Sequence, residues 1–233
     1  MEENTNFNFS IPELAQRGDK LGSVYKRDEA AFVSYGYNVA TAELMAAKTE
    51  ALKYFPSDDY YEGKQKVATD GKNQIRQSLE ANISDLRNRA KLSLGAKSVD
   101  FSLFRFNRMK DQSDNELVQQ ALHVTQVAET RLEVLSTRMV TQESLDIILD
   151  ERQKLDVAID EQATAVTERR QKKVERTRLA NELYKIISEL SEVGKLIWKG
   201  KNEACYTDYV IYGSAKSISV QAEESEVELP ESV

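Results

Sequence analysis

Between Thr141 and Lys199 the chain contains no proline, and its single glycine there, Gly194, comes close to the end. A run of that length without a turn residue has one economical solution, a helix, of roughly 85–90 Å if unbroken at ~1.5 Å per residue. The apolar residues support this at both ends. Leu145, Ile148, Leu155, Ile159 and Val166 mark a helical stripe in the first part, and Leu179, Leu183, Ile187, Leu190 and Val193 mark one in the last. Between them lies "TERRQKKVERTR", Thr167 to Arg178, with Val174 its one apolar residue. A buried stripe cannot cross that patch unchanged. Either one helix is solvated there or the chain folds back into two; the absence of turn residues favours one helix.

The remainder reads as further helices. Ser10-Ile11-Pro12-Glu13 is a capping box that opens a helix to about Tyr25, weakened by Gly18 and Gly22. A second spans about Asp28 to Tyr54 and stops at Phe55-Pro56-Ser57. A third, Asp58 to Leu94, carries Ile75, Leu79, Ile83, Leu86 and Ala90 on one face and stops at Gly95. The segment Ala96–Gln112 connects, with Phe101, Leu103, Phe104, Phe106 and Met109 too apolar for a free loop. Ser113-Asp114-Asn115-Glu116 caps a fourth helix that runs to about Met139.

Past Gly200 the pattern changes. "YVIY" and "SISV" are short β-prone runs that either pair as a hairpin or lie extended. From Gln221 the chain holds Glu223, Glu224, Glu226, Glu228 and Glu231 and no Lys or Arg, which predicts a disordered acidic tail. The expected organisation is therefore a helical bundle over 1–200, an extended aromatic segment over 201–220 and the tail over 221–233. The fold class is all-α: an elongated bundle of four to five helices with a very long C-terminal helix. With nine Gly and three Pro, the chain lacks the turn residues of a β-sandwich.

Composition narrows the function. The net charge is −7, and the tail accounts for five of those charges, so the body lies near −2. That is not the footprint of a nucleic-acid or anionic-membrane binder. There is no apolar run near the ~18 residues of a membrane span and no basic start followed by an apolar run. A cytoplasmic location is the default expectation, with export by a non-classical route left open.

Few residues have the spacing that chemistry needs. His123, the only histidine, has Gln120 rather than Glu three residues before it, so no di-iron pattern forms. Cys205, the only cysteine, allows neither an internal disulfide nor a zinc cluster, and only Lys199 and Lys201 stand near it to lower a thiol pKa. No P-loop, dinucleotide fingerprint or nucleophile elbow is present. No catalytic residue, metal ligand or cofactor is therefore expected, and the chain is not expected to be an enzyme. Arg169, Lys173 and Arg176 form a basic strip at helical spacing, diluted by Glu168 and Glu175; it suits a polar contact, to another subunit or to the acidic tail. Trp198, the only tryptophan, and Tyr206, Tyr209 and Tyr212 are the expected packing or partner anchors, on the chain's own bundle or on another chain.

"RDEAAFVSYG" (Arg27–Gly36), "DDYYEGKQKVATDGKNQIRQSLEANISDLRNRAKL" (Asp58–Leu92), "SDNELV" (Ser113–Val118) and "IWKGKNEACYTDYVIYG" (Ile197–Gly213) resemble a group of uncharacterised helical proteins of Bacteroidota. The resemblance covers the chain from Ile11 to Gly213, and its Tyr-x-Asp-Tyr-Val-Ile-Tyr ending is the most specific part. It implies a bacterial source and little more. It carries no functional residues across, and Cys205 stands where the group's pattern leads one to expect a polar residue.

Long helices leave seam uncovered, and association is the simplest way to cover it. The leading expectation is a non-enzymatic structural or scaffolding protein, a coiled-coil-like homo-oligomer or a protein binder with no small-molecule ligand. The second is a membrane-active, pore-forming-like helical protein, against which stands the lack of any wholly apolar helix face.

Overall fold

The ends of α1, Ile11–Val33, show how local sequence sets this fold. Ser10 caps its start by accepting from the Glu13 N–H, and Pro12 sits in the first turn, where no N–H is needed. The helix then runs through the Lys26-Arg27 stretch, where a break was expected, and stops only at Ser34. Gly36, at φ +85°, supplies the left-handed residue that turns the chain, and Asn38 caps α2, Val39–Tyr54, by accepting from the Ala40 N–H. The structure is a computed structural model that describes residues 4–106 and 111–212, and every regular element among them is helical.

The chain divides into two units. One is made from both ends of the sequence, Met1–Phe55 with Lys173–Val233, and the other is the continuous stretch Pro56–Lys172. The long run is a single helix, α7, Gln142–Trp198, whose residues up to 172 belong to the second unit and from 173 to the first.

In the first unit α1 and α2 form an antiparallel hairpin against the C-terminal part of α7. Leu14, Phe32, Met45, Leu183, Ile187 and Leu190 are buried at its centre. Gly18 has a packing role: a Cβ there would lie 2.4 Å from the Thr49 hydroxyl, so glycine sets how closely the two helices approach at that point, whereas one on Gly22 would meet Met45 at 3.6 Å, an ordinary contact. Thr49 is fully buried and donates to the Met45 carbonyl at 2.8 Å, so it cannot swing aside freely. Gly18→Ala is therefore expected to destabilise the unit despite alanine's better helix propensity. Thr49→Ala in the same chain should recover most of the loss, because the two changes are coupled through one contact. Urea denaturation of the two single variants and the double variant measures that coupling; additive losses would contradict it.

In the second unit α3, Asp58–Leu94, runs antiparallel to the first part of α7. A file of polar contacts marks the pairing from end to end: Arg169 with Asp58, Lys64 with Glu168, Gln162 with Thr69, and Asn82 with Glu151. After α3 stops at Gly95 (φ +85°), α4, Val99–Ser102, turns the chain toward α5, Asp114–Glu129. In the connecting segment Phe104 and Phe106 are buried and stacked at 4.9 Å with Phe101 packed beside them, but Leu103, expected to pack, is exposed; Met109 lies outside the described residues. The helix expected to continue to Met139 instead ends at Thr130. It is followed by α6, Leu132–Leu135, and a 3-10 turn, Ser136–Arg138, closed by Met139 in the left-handed region.

The capping box at Ser113 is complete. Its hydroxyl accepts from the Glu116 N–H, and its own N–H donates to the Glu116 carboxylate at 2.7 Å. Ser113→Ala should cost about 1 kcal/mol in chemical denaturation, and an unchanged midpoint would show that the cap carries no weight.

Past the end of α7, the expected extended segment is in part helical: α8, Glu203–Asp208, is capped by Asn202 accepting from the Cys205 N–H. Residues 213–220 of that segment and the acidic tail over 221–233 lie outside the described residues.

Candidate functional site

Asp28, on α1, is a carboxylate with almost no solvent exposure, and a buried charge needs partners. It has three. The Tyr209 hydroxyl donates to it at 2.7 Å, the Trp198 indole N–H at 2.9 Å, and the neighbouring Arg27 guanidinium in a fork at 2.8 and 2.9 Å. Arg27 also donates to Asp208, at 2.7 Å, so one arginine ties α1 to α8. The Arg27 guanidinium holds the Asp28 carboxyl below the usual carboxylate range. The Tyr209 hydroxyl and the Trp198 indole act the same way, against the opposing effect of burial. Burial, and then the Asp28 charge, push the Tyr209 hydroxyl well above the usual phenol range.

Tyr209 reaches Asp28 because of what lies under its ring. A Cβ on Gly194 would sit 2.1 Å from the Tyr209 ring, so the one glycine of α7 is the seat on which the tyrosine lies. Phe32 packs against the same ring, tilted to it, at 5.7 Å between ring centroids. Gly200, at φ +71°, reverses the chain after α7 and starts its return.

Farther along, Tyr212 joins a second group. Its hydroxyl lies 2.9 Å from that of Tyr184, and its ring is 5.8 Å from Phe9. Arg17 stacks on Phe9 at 4.5 Å and donates to the Ile211 carbonyl. Burial first and the bond to Tyr184 second raise the Tyr212 hydroxyl to about 12.

The four aromatic residues singled out by sequence thus differ. Tyr209 is wholly buried, Trp198 and Tyr206 are half-buried, and Tyr212 is half-exposed. The basic strip also separates. Arg169 is held by Asp58, Glu62 and Gln65 of α3, so its acidic partners are in its own unit. Lys173 is exposed, and Arg176 is half-buried with an Nε that has no hydrogen-bond partner among the described residues. His123 lies with Nε2 2.9 Å from the Leu103 carbonyl, and Cys205 is half-buried on α8.

Asp28, Arg27 and Gly194 form the centre of this arrangement, and sequence reasoning had not singled them out. Gly194 alone carried a signal, as the one glycine of an otherwise uninterrupted helix.

Chemically, the cluster holds: Asp28 accepts from the Tyr209 hydroxyl, the Trp198 indole and the Arg27 guanidinium. A groove of about 430 Å³ between α1 and α2 has a floor of Gly18, Gly22, Ala42 and Ala46, with Lys26 and Glu43 at its rim. Among the described residues no group of His, Cys, Asp and Glu is arranged to hold a metal ion, and no helix is long and apolar enough to cross a membrane. No family model matches the chain, and neither the curated proteins nor the solved structures include a match to it.

Proposed function

We propose that this chain is a non-enzymatic structural protein, a helical scaffold that assembles with itself or binds a protein partner through its outer helix faces. One observation carries this reading. The outward side of α2 presents Ala40, Leu44, Ala47, Ala51 and Tyr54 to solvent, alternately four and three residues apart. That is the spacing of a coiled-coil seam, and Leu44 and Tyr54 are 50% and 82% exposed. The helix has apolar residues on its inner side as well, where Met45 and Leu52 are buried. A helix that is apolar on both sides has a second surface to cover.

The Asp28 cluster supports the same reading from the opposite direction. The side chains of Trp198, Asp208 and Tyr209 bond to α1 and hold the first unit closed. In this reading Trp198 and Tyr209 are packing anchors on the chain's own bundle, and Tyr212, packed on Phe9 and Tyr184 but half-exposed, is the one with surface left for a partner.

Light scattering of the full chain over a concentration series tests the proposal. A mass above that of one chain is expected. A single chain at every concentration would remove self-assembly and leave only binding to another protein.

A further inference from the structure

The stretch Arg169–Arg178 of α7 holds six Lys or Arg and one acid, Glu175. Arg169 is answered by α3, as described above. Lys173 and Arg176, both in the first unit, are not. Lys173 is exposed, and its ammonium group has no partner among the described residues. The Arg176 Nε–H is shut away from water and has nothing to donate to among those residues. A donor left in that state is costly, and an anion is what meets it best. The acids nearby on the same helix are turned away. At about 100° per residue, Glu175 stands about 160° round α7 from Lys173, and Glu182 about 180°. Glu182 also already holds Lys48 and Arg178.

The course of the chain leads an anion to this place. On its return from the end of α7 it lays Tyr209 on Gly194 and then Tyr212 against Tyr184, where the described residues end. It is therefore heading back along α7, toward Lys173. Tyr184 and Lys173 are eleven residues apart, which puts them on one side of the helix about 17 Å from each other. Eleven residues also separate Tyr212 from Glu223, the first of the five tail acids. Fully extended, that length of chain spans about 36 Å, more than the path requires. The charges match: net +5 over Arg169–Arg178 against −5 over Gln221–Val233. Glu2 and Glu3, at the other end of the sequence, number only two. A tether this short gives the tail an effective concentration on the order of millimolar, so contacts too weak to join two molecules suffice within one.

We propose that the acidic tail, residues 221–233, folds back on its own chain and lies across Lys173 and Arg176, with one of its carboxylates accepting from the Arg176 Nε–H. The tail then covers the basic strip against other polyanions until salt or a stronger anion displaces it. This contact is made within one chain and does not depend on the self-assembly reading.

Acetylation of the folded full chain by acetic anhydride, read lysine by lysine in a mass spectrometer, tests the proposal. Lys185, exposed on another side of α7, is the internal reference. Relative to Lys185, Lys173 should react about threefold more slowly in the wild type than in a chain whose five tail glutamates are replaced by Gln, as a tail bound two-thirds of the time would give. Salt at about 1 M, where charges are screened within about 3 Å, should remove the difference. Dilution by about a hundredfold should leave it, because the tether sets the local concentration. A Glu-specific protease gives the reverse view. Lys173→Glu with Arg176→Glu should speed cleavage within the tail, and Lys185→Glu should not. Circular dichroism confirms that each variant is folded.

Equal reactivity of Lys173 in the wild type and the Gln-tailed chain overturns the proposal. Protection that dilution removes places the tail on a second copy and overturns the fold-back. Protection that survives in the Gln-tailed chain means that something other than the tail's charge covers the strip, and overturns it as well.

Discussion

Gly194→Ala should expel Tyr209 from the first unit. The new methyl group would need the space now filled by the tyrosine ring, 2.1 Å away, and the flat face of a buried aromatic has no flexible end to yield. Either the ring leaves or α7 shifts away from α8. If the ring leaves, the loss equals that of a buried aromatic side chain, about 3–5 kcal/mol, and the melting temperature should fall by roughly 6–20 °C. Trp198 reports the event directly. It is the only tryptophan, and its indole donates to the same carboxylate as Tyr209, so its fluorescence should shift to the red in the variant before heating. Tyr209→Ala should reproduce both changes, and combining it with Gly194→Ala should add little, because each removes the same contact. A Gly194→Ala protein with wild-type fluorescence and melting would show that the ring is not seated there.

Removing Asp28 should be as damaging. Asp28→Ala takes away the acceptor shared by the Tyr209 hydroxyl, the Trp198 indole and the Arg27 guanidinium; half-exposed Arg27 keeps Asp208, while the buried tyrosine and half-buried tryptophan donors are left unmet at about 1–3 kcal/mol each. Asp28→Asn keeps an acceptor and should cost less, so it isolates the charge. The charge also sets the response to acid. The folded carboxyl is held below its ordinary value, so the folded state binds this proton less readily than the unfolded chain does. Its contribution is complete above about pH 4 and fades as pH falls through the folded pKa. Asp28→Asn should therefore flatten the loss of stability below about pH 4.

Tyr209 has the opposite sign. Its hydroxyl is raised, so its contribution is complete below about pH 10 and fades on going higher. Tyr209→Phe should flatten the alkaline limb alone. Wild-type slopes in both variants would break the link between these two groups and stability.

These residues also show what could be read from the chain beforehand. The sequence favoured one α7 over two shorter helices without deciding between them, because a missing proline is a local fact. The caps at Ser10 and Ser113 were legible for the same reason. The break expected near Lys26 was misplaced. Gly18 and Gly22 read as helix weakness in the sequence, but the bare face of Gly18 admits Thr49 of the returning helix. The real turn had its own signal, Gly36 followed by Asn38, a left-handed stop and then a cap. The site was less legible still. Asp28 and Tyr209 stand far apart in sequence, and no periodicity links an acid on one helix to a tyrosine beyond the end of another. The aromatic composition of the last segment marked it as an anchor. Which tyrosine would be buried depended on Gly194, whose significance appears only once its partner ring is in place.

The division of the sequence between the two units also sets an order of events during synthesis. The unit formed by Pro56–Lys172 is continuous and contains all the chain it needs once its last residue has emerged. The other begins first and finishes last. Its opening hairpin, α1 with α2, is made early, but the face it covers with Leu183, Ile187 and Tyr209 must wait for the far end of the chain. At ~5–20 residues per second that interval is on the order of ten seconds. For that time Leu14, Phe32 and Met45 lack the cover that α7 and Tyr209 supply. The nascent chain is then most vulnerable to aggregation or to a chaperone's grip, while its middle is already able to fold.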